Sequence, residues 1–243
     1  MLILLLPFFA SAQEVRIASA SDLRFALDRI VQSFEAENPG IDVATTYGSS
    51  GNLYSEISHG APFDIFFSAS AAYTGELEAL GLVEPGTRSL YASGHIVIWV
   101  HDRLGLDPRS LGPELLRRSE VTRVVVANPQ HAPYGRAAIE YLRESGLHQA
   151  VGHKLVFGEN VSQASQIALQ SGQVGIIALS LARHPRLSQA GSYFPIPTHQ
   201  HAAIDQEYVI LEGRDRREVR EFHAFVQSES GRSILADYGF TLP

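Results

Sequence analysis

The segment VRIASASDLRFALDRIVQSF, Val15 to Phe34, decides the fold. It opens with a short apolar run, Val15–Ala18, of strand character. A Ser-rich turn follows. Leu23, Leu27, Ile30, Val31 and Phe34 then recur at the spacing of one apolar helix face, with Asp22 placed as N-cap. The same succession returns along the chain. Val43–Tyr47, Ile65–Phe67, Ile96–Val100, Val124–Ala127, Leu155–Phe157, Val174–Leu179 and Tyr208–Leu211 read as further strands. Asn52–Ser58, Ala71–Ala79, Gly135–Ser145, Ser162–Ser171 and Arg217–Ser228 read as helices. Strand and helix in alternation predict α/β layers around a mostly parallel sheet.

Four junctions set a loop rich in Ser, Gly, Asn or Pro against a helix start: Ala18–Leu23, Tyr47–Leu53, Asn128–Gly135 and Gly158–Ser162. Each alone is an ordinary helix cap. Together they offer unpaired N–H groups and the positive ends of helix dipoles, joined by the hydroxyls of Ser21 and Ser50 and the phenol of Tyr134. Val161 brings only its backbone N–H. Such donors, converging, enclose a small tetrahedral oxyanion without a counter-charge, which points to binding rather than catalysis. Arg24 and Arg136 follow the loops at positions expected to face solvent.

Composition narrows the class. Residues 1–12 hold an apolar stretch, Leu2 to Phe9, then Ala10-Ser11-Ala12, a small-x-small cleavage pattern; they read as a secretory signal peptide, although no Lys or Arg precedes Phe9. The stretch is far shorter than the ~20 residues of a spanning helix. The remaining chain, Gln13 to Pro243, suffices for one large or two moderate domains. With no cysteine, an exported chain relies on its core alone, and 45% hydrophobic residues make that feasible. Net charge is -7, and the one basic cluster, Arg214–Arg217, is interleaved with acids and reads as a solvated helix start, so nucleic acid is not a partner. No Gly/Ser or Pro linker and no repeat is present, so a two-domain division is carried by strands. The candidate crossings are Tyr91–Val100, which bears the only tryptophan, Trp99, and Ile204–Leu211. They make the first lobe discontinuous, residues 13–92 with 206–243, around a second lobe at 93–205. Trp99 is then a candidate reporter of hinge closure.

The ordered set Ala18–Leu23, Gly48–Gly51, Gly60–Ser68, Asn128–Gly135, Gly158–Val161 and Tyr238–Phe240 resembles the periplasmic molybdate-binding proteins of ABC importers over nearly the whole mature chain. The resemblance implies a type II periplasmic binding fold: two α/β lobes joined by a two-strand hinge, with the ligand cleft between them. It implies a monomer that captures molybdate or tungstate in the periplasm by hydrogen bonds alone, with no cofactor, and delivers it to a membrane permease. Carried over by position, Ser21 and Ser50 donate hydroxyl and backbone bonds, and Asp22, Tyr134 and Val161 donate backbone N–H groups. Two positions depart from the family. Ala178 stands where some members carry a ligand tyrosine, which the Tyr134 phenol is expected to replace. Asp22 stands where others have Ser or Asn, and its carboxylate is expected to turn back and cap the first helix, because aimed at a dianion it would repel it.

Other readings stay open at this stage. In a phosphate binder of the same fold, Asp22 accepts the proton of monohydrogen phosphate, and Asp22→Asn would abolish that binding while sparing molybdate. Sulfate differs from molybdate only in size. A ferric-iron binder needs grouped tyrosinates, whereas Tyr47, Tyr134 and Tyr208 are scattered. An exported hydrolase needs a nucleophile and base, yet there is no Gly-x-Ser-x-Gly or His-Glu-x-x-His, and Ser49-Ser50 has no histidine adjacent in sequence. His199-Gln-His201 is a lone His-x-His in a polar loop and is assigned no function.

Overall fold

Two five-stranded sheets, each carrying three parallel strands, organise the chain. The computed structural model describes residues 13–243, so the expected signal peptide, residues 1–12, lies outside the described residues. The first sheet joins β1 (Gln13–Ala20), β2 (Ile41–Gly48), β3 (Ile65–Ser68), β4 (Ser89–Gly94) and β10 (Ile204–Ile210) in the order β2-β1-β3-β10-β4. The second joins β5 (Ile96–His101), β6 (Val124–Ala127), β7 (Leu155–Gly158), β8 (Val174–Ala178) and β9 (Gly191–Pro195) in the order β7-β6-β8-β5-β9. In one lobe β1 runs parallel to β2 and β3; in the other β6 runs parallel to β7 and β8. The strand fed from the opposite lobe is antiparallel in each case, β10 against β3 and β5 against β8.

The helices α1 (Arg24–Glu37), α2 (Ser50–Ser58), α3 (Ala71–Ala79), α10 (Arg217–Val226) and α11 (Glu229–Asp237) cover the first sheet. The second carries α4 (Pro108–Leu111), α5 (Pro133–Glu144), α6 (His148–Val151), α7 (Val161–Ser171), α8 (Leu179–Ala182) and α9 (Pro185–Ser188). A parallel sheet with helices on both faces needs strands apolar on both faces. Accordingly Val15 and Ile17 of β1 pack with Leu27, Ile30 and Phe222, while Ala18 packs on the other face with Leu53 and Phe66.

The crossing read as one strand over Tyr91–Val100 is two: β4 ends at Gly94 in the first sheet and β5 begins at Ile96 in the second, with His95 between them. Ser93, Gly94 and His95 interrupt the apolar pattern at the break, where the chain passes from one sheet to the other. The return runs from β9 through residues 196–203 to β10. Sequence reading missed β9, whose Gly, Ser and Pro are poor strand formers; its ladder to β5 overrides that preference. It also missed α11, a separate helix capped by Ser228, whose hydroxyl accepts from Gly231 N–H at 3.2 Å. Trp99 is sealed in the core of the second lobe, its indole N–H donating to the Leu187 carbonyl at 3.2 Å. Its surroundings belong to one lobe, so ligand titration is expected to leave its emission wavelength unshifted, in contrast to the sequence expectation.

Two further expectations are corrected. Asp22 does not cap α1. A 3-10 turn over Ser21–Leu23 delays the helix to Arg24, whose N-cap, Leu23, offers no side-chain bond. Nor is Arg214–Arg217 merely a solvated helix start. The Arg216 guanidinium forks onto both oxygens of the fully buried Asp64, at 3.2 Å each, and also binds Glu218 at 2.7 Å. The acids interleaved with the arginines suggested solvation, but the partner that matters lies 152 residues away.

Candidate functional site

A parallel α/β sheet collects its βα turns at one edge, beyond the C-terminal ends of its strands. Here two such edges face each other. β1 ends into Ser21, β2 into Ser49 and Ser50, and β3 into Ala69; from the other lobe β6 leads to Pro133 and Tyr134, and β7 to Val161. These residues line one small cavity, with about 180 Å³ of space between its atoms, part of it open to solvent. Ser21, Asp22, Ser50, Tyr134 and Val161 are each at most 3% exposed and all border it. The structure thus brings together every site residue read from the sequence.

The hydroxyls are oriented from behind. Ser50 Oγ accepts from Ala69 N–H at 2.9 Å and Ser21 Oγ accepts from Ser162 N–H at 3.3 Å, so each oxygen is held while its proton stays free to donate. Among the described residues neither proton has an acceptor. Helices α2, α5 and α7 begin at the cavity, and their first N–H groups have no acceptor within the helix. Some of these groups are satisfied otherwise: Gly51 N–H by the His131 carbonyl, Asn52 N–H by Ser49 Oγ, Gln163 N–H by Asn160. Those of Ser50, Tyr134 and Val161 find no acceptor among the described residues.

Among the described residues no Lys, Arg or His lines the cavity. Arg24 and Arg136, expected at the surface, are half-buried and turned to aromatic rings: the Arg24 guanidinium lies over Tyr47 at 4.7 Å, and that of Arg136 over Tyr73 at 5.5 Å. The site is a neutral set of donors with one exception. Asp22, 1% exposed, accepts through Oδ2 from the Tyr134 phenol at 2.9 Å and from Gln206 Nε2 at 2.7 Å, while its Oδ1 has no partner among the described residues. Burial pushes its carboxyl up to about 6, against the opposing pull of the Gln206 and Tyr134 hydrogen bonds. The same burial, together with the Asp22 charge, raises the Tyr134 phenol well above its ordinary range, so it remains a donor. The Tyr134 phenol, expected to replace the missing tyrosine at Ala178 as a ligand donor, is instead committed to Asp22.

The lobes meet directly across the cavity. Besides the Asp22–Tyr134 and Ser21–Ser162 bonds, Gly51 N–H donates to the His131 carbonyl at 2.9 Å, Ser180 Oγ donates to the Asp22 carbonyl at 2.8 Å, and Ser49 Oγ lies 2.8 Å from His131 Nδ1. This is a closed arrangement. Ser49, Ser180 and Gln206 escaped the sequence reading. Only Gln206 left a signal, a polar residue in register with Ile204, Tyr208 and Ile210 on the inward face of β10. Ser49 beside His131, with Glu159 3.7 Å from the other ring nitrogen, has the outline of a nucleophile and base that sequence adjacency did not reveal. Yet Ser49 Oγ caps α2, Glu159 is 68% exposed, and the pair spans two lobes. Among the described residues no group of three metal-ligating side chains occurs, His199 and His201 included.

Comparison with known proteins agrees in length and fold. The family model of bacterial extracellular solute-binding proteins matches residues 15–241. A molybdate-binding protein of Azotobacter vinelandii is 31% identical over 240 residues, 98% of this chain and 94% of that one. One of Rhodobacter capsulatus is 30% identical over 233 residues, 95% and 89% of the two chains. The solved structure of the A. vinelandii periplasmic molybdate-binding protein superposes with a TM-score of 0.85 at 27% identity, covering 94% of this chain and 99% of that one.

Proposed function

We infer the function from the premise that this chain belongs to the bacterial extracellular solute-binding protein family: it captures molybdate or tungstate between its lobes and delivers it to the permease of an ABC importer. The chain is a solute-binding protein and not an enzyme. The observation that carries the reading is the closed, cation-free ring of donors at the facing strand ends, in a chain matching molybdate-binding proteins along its whole length. Ser21 and Ser50 donate hydroxyls, and Asp22, Ser50, Tyr134 and Val161 donate backbone N–H groups. The molybdenum or tungsten enters as the oxyanion, with no separate cofactor. The protein acts as a monomer whose lobes close over the ligand; the first sheet holds β4 to Gly94 and β10 from Ile204, so the first lobe extends two residues beyond the sequence-read bounds of 92 and 206 at each crossing. Residues 1–12 direct export to the periplasm and are removed, so the mature protein is expected to begin at Gln13 on N-terminal sequencing.

Donors preset by the fold discriminate by size and protonation. Donors spaced for long metal–oxygen bonds leave the smaller sulfate underbonded. Calorimetric titration with molybdate, tungstate, sulfate and phosphate at neutral pH tests the reading. Tight one-to-one binding of the first two alone supports it, whereas tight phosphate binding lost in Asp22→Asn replaces it with a phosphate carrier. Ser50→Ala is expected to weaken molybdate binding by about 1.5–3 kcal/mol, the scale of a hydrogen bond to a charged group. Affinity equal to that of the unaltered protein would remove Ser50 from the site.

A further inference from the structure

A carboxylate in the wall of a cavity meant for a dianion is the one feature of the site that opposes its use. Its geometry indicates how the conflict is resolved. Among the described residues, the two side-chain donors that reach Asp22, the Tyr134 phenol and Gln206 Nε2, bind the same oxygen, Oδ2. Gln206 is itself fixed by the Tyr91 phenol on its Oε1 and also donates to the Tyr134 oxygen at 2.9 Å, so this scaffold cannot swing to serve Oδ1. Oδ1 is buried and unpartnered in a residue that borders the cavity. A buried acceptor without a donor is costly, and a proton placed on it converts it into a donor.

We propose that the oxyanion binds together with one proton, held on Asp22 Oδ1, which turns the carboxyl into a further hydrogen-bond donor to the ligand. This inference rests on the oxyanion-binding reading and specifies how that site accommodates its own acid.

Beyond the Tyr134 and Gln206 side chains, the backbone N–H groups of Asp22 and Leu23 also favour the ionised carboxyl, but burial outweighs all four hydrogen bonds together. From α5 comes Tyr134 and from β4 Tyr91, both titratable and both held neutral by burial. From β10 comes the neutral Gln206, and from α8 Ser180, bonded to the Asp22 carbonyl. Two residues along the chain, Arg24 lies over Tyr47, and Arg136, next to Tyr134 on α5, donates to the Tyr73 phenol at 3.1 Å. His131 faces Ser49 at the cavity mouth. Among the described residues no cation is bonded to the carboxylate. Without ligand, burial already raises the Asp22 carboxyl to about 6, and a dianion sharing the cavity raises it further, because like charges in one site favour the neutral acid.

The sign of the linkage follows. Above about pH 6 the ligand-free protein holds Asp22 ionised. The complex holds it protonated, so binding takes up one proton, and affinity falls about tenfold per pH unit until the carboxyl of the complex itself ionises.

Molybdate titrated into the mature protein at pH 7.5, in buffers of differing ionisation enthalpy, measures that proton directly. We expect uptake of about one proton per molybdate, and a dissociation constant rising about tenfold from pH 7 to pH 8. In Asp22→Asn, whose amide is a permanent donor of the same shape, uptake vanishes, the pH dependence flattens, and affinity at pH 8 exceeds that of the unaltered protein. Melting scans confirm that the variant is folded. Tight binding without proton uptake, or uptake that persists in Asp22→Asn, overturns the proton assignment and leaves oxyanion binding standing. Failure of molybdate, tungstate and the other oxyanions to bind in any buffer overturns the functional reading, and the proton assignment falls with it. Difference infrared spectroscopy adds a second readout: a protonated carboxyl band appearing with molybdate and absent from Asp22→Asn supports the placement of the proton, and its absence from the unaltered protein refutes it.

Discussion

Replacing Gly51 by alanine is expected to weaken molybdate binding by roughly 150-fold while leaving the fold of the ligand-free protein intact. Gly51 is the second residue of α2, and its N–H meets the His131 carbonyl of the other lobe. A Cβ at this position would stand 2.7 Å from that carbonyl oxygen, 2.8 Å from the Tyr73 hydroxyl and 3.0 Å from His131 Cα. Two of the three atoms are backbone of the opposite lobe, so no side chain can turn aside to relieve the overlap; the lobes must stay apart. Overpacking of this kind costs about 3 kcal/mol at its upper range, which is the roughly 150-fold loss. In the separated lobes only the Tyr73 hydroxyl, the far end of a side chain in the same lobe, has to move aside. Gly51 is not among the positive-φ glycines, and alanine in an ordinary helical conformation gains about 0.4–1 kcal/mol from the reduced freedom of the unfolded chain. The expected signature is therefore a melting temperature equal to or above that of the unaltered protein without ligand, and a much reduced rise when molybdate is added. If Gly51→Ala binds molybdate as tightly as the unaltered protein, the Gly51–His131 approach is not part of the bound state.

Arg216→Ala is expected to do the opposite, lowering stability and sparing the site. Asp64, just before β3, is fully buried, with one carboxylate oxygen accepting from Arg16 N–H of β1 at 2.8 Å and both oxygens facing the Arg216 fork. Arg216 also donates to the Glu14 carbonyl at 3.0 Å, so it ties the C-terminal helices to the first strand and the edge of the third. Removing it leaves a buried charge with a single backbone donor. Breaking a buried pair in this way costs 3–5 kcal/mol in general, and the 38% exposure of the Arg216 side chain places this one at about 3. For a chain of this length that lowers the melting temperature by roughly 6–12 °C. Arg216→Lys restores little, because a single ammonium cannot serve both oxygens and Glu218 at once. Molybdate affinity measured well below the melting temperature should not change. A melting temperature within error of the unaltered protein would mean that solvent reaches Asp64 and that the pair contributes little.

The two variants separate what the two halves of the structure do. Gly51 matters only when the lobes touch, and Arg216 only within one of them. The pH dependence of Asp22 belongs to both, since its hydrogen-bond partners come from the second lobe and from the strand that returns to the first.

By itself the sequence determined the local grammar of this protein: strands that end in Ser, Gly, Asn or Pro, helices that begin where those loops stop, and therefore N–H and hydroxyl donors gathered at βα turns. That much is legible because capping, periodicity and turn chemistry act over a few residues. It sufficed to place Ser21 and Ser50, and likewise Tyr134 and Val161, at βα turns, where parallel strands collect them at one edge; that the two edges face each other over one cavity was implied only by the family resemblance and is set by the tertiary structure. What the Asp22 side chain does was decided only by the tertiary structure. Its partners lie 112 and 184 residues away, and no local rule weighs them against a helix cap. The same holds for Ser49 and His131, 82 residues apart, and for Asp64 and Arg216. A side chain's orientation is settled by whichever donor, acceptor or charge the packing of distant elements brings within about 3 Å, and in a two-lobed chain that packing exists only once the strands have crossed and the lobes have met.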